Sequence, residues 1–367
     1  MTVLFLKNGV VKRVADNEKE AVMKFGLIVG EGIGPELVQA TKHVLEATAL
    51  PIEWTDIPVG ESALKKYGHP LPQESVSALK EVKVSLKGPL AVERGKGRVI
   101  CIHDDGSEHI YPSINNAIRR ELKLFVAARP IRGFSGISGN HADMNVVIMR
   151  ELTEDIYIGW EHQIGDVAAQ AIKLTTREAV ERVTKYSFEY ARRNNRKKVT
   201  CVHKANALSM TDGLFLKCFL EIARNYPDIE SDDCFVDAAA FSLVRHHTKF
   251  DVVVTSNQYG DILSDLAGGL AGSLGLAPGA NIGVDASVFE ATHGSAPDIA
   301  GKGIANPVSL ILSGASMLRH VGFNKEAFSI EESIHAVLSE GRVLTADLGG
   351  TASTMQMADA IAKRVAG

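Results

Sequence analysis

Cysteine is scarce in this chain and unpaired. Cys101, Cys201, Cys218 and Cys234 are scattered over 367 residues with no CxxC spacing. That argues against zinc knuckles and disulfide scaffolds and for free thiols in a reducing compartment. Nor is one charge in excess: 40 Lys and Arg face 44 Asp and Glu, a formal −4, so a basic groove for nucleic acid is not expected. No apolar run reaches the roughly 18 residues of a membrane span, so no membrane partner is expected either. The opening MTVLFLKNGVVKRV lacks the charged, apolar and small-residue tiers of a secretory signal. A cytoplasmic location is expected, with the mitochondrial matrix left open because a trimmed presequence leaves no trace. Internal repeats, low-complexity tracts and a GxxxxGKS/T phosphate loop are also missing, and the last absence ranks phosphoryl transfer below other chemistries.

What is present is enough length for two domains with substantial cores, in which short β-rich runs alternate with longer amphipathic ones. Strands are expected at 25–29, 52–58, 125–128, 145–149, 156–160, 198–202, 234–235, 250–255 and 288–291. Helices are expected at 37–47, 72–80, 115–124, 177–194, 211–224, 238–245, 263–270, 307–320, 330–340 and 351–364. The alternation predicts an α/β fold with much parallel sheet. A hairpin of 3–7 with 10–14 around Asn8-Gly9, a dipeptide favoured in type I′ turns, precedes it. The polar, turn-rich stretch 93–112 reads as an excursion on the surface.

Asp261 and Asp265 in SNQYGDILSDLAGGL lie four apart, on one helix face among Ile262, Leu263 and Leu266. Two like charges ~4 Å apart repel by roughly 4 kcal/mol at an effective dielectric near 20, so a cation is expected between them. Asp237 in CFVDAAAF either caps a helix or completes a hard-oxygen set of three carboxylates suited to Mg2+ or Mn2+. Arg119, Arg129 and Arg150 follow apolar strands or helices. Each alone reads as a solvated charge; together they suit a substrate with two or three carboxylates. Tyr157 in TEDIYIGWEH and Lys204 in VTCVHKAN carry groups that burial and nearby charge can tune for proton transfer. A tyrosine is nevertheless more often core, and a lysine after a strand more often exposed. GEGIGPE spaces its glycines by 2 and 2, against 2 and 3 in the dinucleotide fingerprint, and reads as a tight turn rather than a pyrophosphate site. In ATHGSAPDIAGKGIANP, His293 and Gly294 begin a loop of small residues that lets a flat ligand approach the backbone, and Asp298 suits a ribose 2′-hydroxyl.

With these residues assembled, the chain resembles the isocitrate/3-isopropylmalate dehydrogenase family of β-decarboxylating dehydrogenases. The likeness runs through GEGIGPE, DIPVGESALKKYG, KGPL, RELTEDIY, VHKAN, TDGLF, SNQYGDILSDLAGGL, APGANIG, FEATHGSAPDIAGKGIANP and DLGGTAS, nearly everything after residue 25. It implies an α/β fold that is not the Rossmann fold, in which two domains share a sheet and enclose a cleft. The large domain would comprise 1–124 and 275–367, and the small one, 125–274, would carry the dimer interface. Asp261 and Asp265 would bind the metal with Asp237 reaching across from the partner subunit. Lys204 would also act across the interface, so a homodimer or higher oligomer shares its active sites. Arg119, Arg129 and Arg150 would hold substrate carboxylates, and Tyr157 would donate a proton late in the reaction.

The resemblance also implies NAD contacts from Leu90, Glu290, His293, Gly294, Ala296, Asp298, Ile299 and Asn306. Asp298-Ile299 is similar to the NAD-type signature; against Asp298 a 2′-phosphate would be repelled by several kcal/mol at dielectric ~20, on the order of a thousandfold. Ser113-Ile114-Asn115 resembles isocitrate-using members, whereas isopropylmalate enzymes line this place with apolar residues. Three departures stand out: AVERGKGRVICIHDDGSEHIYP replaces a threonine-rich stretch, Leu152 replaces an asparagine, and Ser209 replaces a lysine. The expected reaction is NAD-dependent oxidative decarboxylation of isocitrate to 2-oxoglutarate. Homoisocitrate or 3-isopropylmalate as substrate, or a non-catalytic regulatory subunit, are the alternatives.

Overall fold

The chain opens on an antiparallel ribbon of β1 (Thr2–Phe5) and β2 (Val11–Val14), with Thr2 opposite Val14. Its turn at Asn8-Gly9 lies outside the residues that the computed structural model describes, which are 2–5, 11–14, 22–91, 98–102, 106–137 and 141–367. Next come β3 (Met23–Ile28), α1 (Gly34–Glu46), β4 (Ile52–Asp56), α2 (Glu61–Tyr67), α3 (Gln73–Val82) and β5 (Val84–Lys87). A second ribbon, β6 (Val99–Ile102) with β7 (Glu108–Tyr111), leads to α4 (Ile114–Glu121) and the long β8 (Leu124–Arg132). After β9 (Asn145–Glu151), a third ribbon of β10 (Glu161–Ile164) and β11 (Ala168–Ala171) exposes every residue. Then α5 (Arg177–Arg193), β12 (Lys198–His203), α6 (Thr211–Ala223), β13 (Glu230–Phe235), α7 (Val236–Arg245), β14 (Val252–Thr255) and α8 (Asn257–Ala271) alternate. The chain ends with β15 (Pro278–Gly283), β16 (Ser287–Ala291), α9 (Val308–His320), α10 (Asn324–Glu340) and α11 (Thr354–Val365).

Ten strands form one sheet, ordered β13-β12-β14-β9-β8-β15-β16-β5-β3-β4. The first four are mutually parallel, and so are the last four. Between them β8 and β15 run antiparallel to both their neighbours, so the two parallel blocks are joined through this central pair. Both faces are covered by helices, which is why strands such as VVVT and LFVAA are buried at every position. Along β9, Val147 and Met149 enter one core cluster and Val146 and Ile148 another, the period of two expected of a strand. No helix among the described residues is long and apolar enough to cross a membrane.

Several expectations are corrected. Residues 156–160 do not form a strand: Ile156–Ile158 is a single 3-10 turn between Asp155 at φ 70° and Gly159 at φ 75°, left-handed residues that a strand cannot hold. Asp237 does not cap α7, because Phe235 occupies the capping position and Asp237 lies inside the first turn. Helices α8 and α10 each begin six residues before their expected starts at 263 and 330, since their first turns, NQYGD and NKEAF, are polar. Of stretch 93–112, residues 93–97 and 103–105 lie outside the described residues, and the remainder is not all on the surface. Val99, Cys101 and Tyr111 of its ribbon are buried against Ile114 and Ile118, while Ile100, Ile102 and Ile110 are exposed. Leu152 is buried in the same cluster and Ser209 is exposed. The tight turn expected at GEGIGPE is present, with Gly30 at φ 81° and Gly32 at φ 60°.

Candidate active site

Arg150 sits near the end of β9, where α8 crosses very close to the strand. A Cβ on Gly260 would come within 2.6 Å of the Arg150 Cβ, so only glycine permits this approach. The Arg150 Nε donates to Asn257 Oδ1 at 2.8 Å, and its Nη1 pairs with Asp261 Oδ1. The Tyr157 hydroxyl donates to the other oxygen of Asp261 at 2.6 Å. The turn that presents Tyr157 is tied to α8 by Asp155, whose carboxylate accepts from Ile156 N at 2.8 Å and Gln258 N at 2.9 Å. Asp155 and Asn257, both buried, are positioning residues that sequence reasoning missed.

The cations beside the aspartate pair within this chain are Arg150 and Arg129. They do not fully offset the repulsion: burial and the neighbouring Asp261 raise the Asp265 carboxyl above its usual range, while Arg129 and Arg150 pull it down. Two oxygen donors with charge still uncompensated fit a small divalent ion such as Mg2+ or Mn2+. The Tyr157 phenol is pushed up to about 12, first by burial and then by its bond to Asp261, so it keeps its proton at neutral pH. Burial and the like charge of Arg119 bring Arg150 down to about 10, which leaves it charged.

Arg129, Gly279 and Glu290 lie on three adjacent strands, β8, β15 and β16. A Cβ on Gly279 would fall 2.3 Å from Arg129 Nη1. Glu290 accepts from Lys87 Nζ at 2.5 Å and Asn281 Nδ2 at 2.6 Å, with Arg119 and Arg129 each 3.6 Å away. Burial alone would raise this carboxyl, but Lys87, Arg119 and Arg129 outweigh it and hold Glu290 far below the usual carboxylate range. Three cations thus share one anion, and the buried Arg129 Nη1 has no hydrogen-bond partner. That surplus suits an anionic ligand. Arg119 lies four residues after Asn115 on α4, so the two share a face. The Asn115 Oδ1 is also buried without a partner, and Ser113, the N-cap of α4, accepts from Asn116 N at 3.2 Å. Lys87 was not expected here.

Lys204 and Asp237 stand apart from this cluster. They follow β12 and β13, and Lys204 Nζ donates to Asp237 Oδ1 at 2.5 Å, which lowers the Asp237 carboxyl. Among the described residues no hydrogen bond or ion pair joins either to Asp261 or Asp265, and the three aspartates do not converge within one chain. Asp237 is exposed, as are the neighbouring Phe235 and Phe241.

Loops after β3, β5 and β16 meet at the C-terminal ends of these parallel strands, where open α/β sheets bind ligands. Glu31 N donates to Pro89 O at 2.7 Å and Ile33 N to Ser295 O at 2.9 Å. A Cβ on Gly32 would overlap Ser295 O at 2.0 Å. Leu90 is buried here, whereas Gly294 and Asp298 are exposed and Ala296 takes a φ of 39°. Ile299 packs against the core. Burial lowers the His293 imidazole, whose Nε2 has no partner and whose Nδ1 lies 3.0 Å from Gly294 O. Asn306 is engaged by its own chain, to Asp347 and Val308 N at 3.0 Å each. A partly buried imidazole with a free nitrogen beside small exposed residues fits a nucleotide such as NAD.

Arginines aligned for carboxylates, paired acidic side chains and a phenol that holds its proton suit one class of enzyme, the decarboxylating dehydrogenases. The chain belongs to the isocitrate/isopropylmalate dehydrogenase family, whose model matches residues 24–361. It is 42% identical over 344 residues to a probable mitochondrial NAD isocitrate dehydrogenase subunit alpha of Drosophila melanogaster, covering 93% of this chain and 87% of that one. It is 43% identical over 339 residues to the 3-isopropylmalate dehydrogenase of Archaeoglobus fulgidus, covering 92% and 98%. The crystal structure of isocitrate dehydrogenase from Methylococcus capsulatus superposes with a TM-score of 0.87 at 46% identity, covering 94% of this chain and 99% of that one.

Proposed function

We propose that this chain is an NAD-dependent isocitrate dehydrogenase that requires Mg2+ or Mn2+ and yields 2-oxoglutarate and CO2. The observation that carries the substrate choice is the polar edge of α4. Ser113, Asn115 and Arg119 line it. A branched alkyl group would bury their polar atoms without hydrogen bonds, at a cost of about 1–3 kcal/mol each; a third carboxylate would accept from the Ser113 hydroxyl, the Asn115 amide N–H and the Arg119 guanidinium.

In this reading Arg119, Arg129 and Arg150 orient the substrate's carboxylates. The divalent ion, held by Asp261, Asp265 and Asp237 of the partner subunit, would draw electron density from the hydroxyl oxygen and NAD would accept the hydride. Lys204 of the partner subunit takes the hydroxyl proton, directly or through water. Docking a second subunit would deliver Lys204 and Asp237 together, and Asp237, once turned to the ion, would no longer hold the Lys204 ammonium, which sheds a proton before it serves as base. Tyr157, which keeps its proton to about pH 12, returns a proton to carbon once CO2 has left. Asp298 would accept from the ribose 2′-hydroxyl, and Leu90, His293, Gly294, Ala296, Ile299 and Asn306 would surround the nucleotide. Glu290, expected among the NAD contacts, is buried and engaged by Lys87, Asn281, Arg119 and Arg129, and would act by orienting those arginines. The two parallel blocks of the sheet would be the two domains, 1–124 with 275–367 and 125–274, closing on the substrate.

Initial rates on isocitrate, homoisocitrate and 3-isopropylmalate, each with NAD and NADP, test this directly. Preference for isocitrate and NAD is expected. Preference for isopropylmalate would overturn the role given to Ser113 and Asn115, and no reduction of NAD by any of the acids would mark a regulatory subunit.

A further inference from the structure

We infer that His141, Asp143 and His247 form a second metal site, one for a borderline ion such as Zn2+ and separate from the site of Asp261 and Asp265. One ligand atom from each residue lies within 4.8 Å of the other two. The cluster joins the β8–β9 connection to the turn after α7, at the far end of α8. There His141 N donates to Leu270 O at 3.3 Å, nine residues or about 13 Å along the helix from Asp261.

The protonation pattern favours a ligand set. The His141 Nε2 lies 2.8 Å from the Val244 carbonyl, which can only accept, so Nε2 carries the hydrogen and Nδ1 keeps its lone pair. The His247 Nε2 lies 3.0 Å from Asp143 Oδ1, and its Nδ1 is buried with no partner. The two imidazole rings lie 4.1 Å apart between centroids, tilted by 36° to one another.

Two nitrogens and one carboxylate oxygen select Zn2+, Co2+ or Cu2+ over Mg2+, which prefers oxygen alone. Tetrahedral zinc with bonds of about 2.0–2.1 Å holds its ligands roughly 3.3 Å apart. Asp143 and His247 are already that close, 3.0 Å apart, so His141 and the exposed Asp143 side chain must close together while His247 stays fixed in the core. Water would take the fourth position. An ion held this way would staple the β8–β9 connection to the turn after α7.

Co2+ supplies a visible spectrum with which to test this on the full chain, with excess Mg2+ present to occupy oxygen-only sites. One absorbing ion per chain is expected, with affinity reduced at least tenfold in His141→Ala and in Asp143→Asn. Zn2+ should also raise the thermal midpoint by about 2 °C or more in the parent protein and not in either variant. Asp143→Asn guards against misfolding, since it alters an exposed side chain. Absence of a Co2+ spectrum, or equal binding in parent and variants, overturns the site. Neither outcome depends on which hydroxy acid the enzyme uses.

Discussion

Glu151, next to Arg150, is 3% exposed and accepts from Thr153 N at 2.7 Å, Thr153 Oγ1 at 2.5 Å and Glu154 N at 3.0 Å. Burial raises its carboxyl from 4.5 to about 7, against the pull of those bonds. Between these two values the native chain holds a proton that the unfolded chain has released. The stabilising contribution is complete below about pH 4.5 and is lost as pH rises through about 7. A shift of this size corresponds to roughly 3 kcal/mol. Urea unfolding from pH 5 to 8 should show the parent losing about that much relative to Glu151→Gln; parallel profiles would refute it. A second test at this scale concerns cofactor choice. Asp298→Lys should raise the use of NADP relative to NAD by tenfold or more, on the order of the charge term reversed, and an unchanged ratio would remove Asp298 from the cofactor site. Residue spacing made the Asp261–Asp265 pair legible because helical periodicity brings i and i+4 together. Lys87, Asp155 and Asn257 were not legible, because each is a polar group in an otherwise apolar or ordinary run whose partner lies 203, 103 or 107 residues away.

At the scale of elements, α8 carries the most function for its length, and its position rests on one missing side chain. Gly260→Ala would place a methyl 2.6 Å from Arg150 Cβ, backbone-proximal atoms that cannot swing aside. Helix and strand must separate, which costs about 1–3 kcal/mol and pulls Asp261 away from Arg150. The variant should unfold at lower urea and bind Mn2+ more weakly; an unchanged unfolding midpoint would show that the contact relaxes. Elements with a clear period were readable from residues alone, as in the amphipathic α5. Those without one were not. The strand β6, VICI, is apolar at all four positions, so its alternation of buried and exposed side chains leaves no pattern. Both strands of the β10–β11 ribbon are exposed on both sides, which removes the pattern altogether. In PGANIG proline and glycine read as loop, yet β15 is central and buried, with Gly279 making room for the Arg129 guanidinium.

For the whole molecule the decisive fact is a separation. The Tyr157 hydroxyl donates to Asp261, whereas the Lys204 ammonium donates to Asp237, and among the described residues no hydrogen bond or ion pair joins the two pairs. In the proposed mechanism a complete site would take a second copy, oriented so that each subunit lends its Lys204–Asp237 pair to the other. This has an arithmetical consequence. Tyr157→Phe and Lys204→Met proteins should each be nearly inactive as homodimers, through loss of proton transfer worth about 10²–10⁴. Mixed, unfolded and refolded together in equal amounts, half of the dimers pair one of each. Every such dimer has one site with both defects and one with none, so about a quarter of the parent activity should return. If Lys204 instead served the site of its own chain, each site in a mixed dimer would carry one defect and no activity would reappear. The two arrangements are distinguished by a rate measured on the same two proteins before and after mixing.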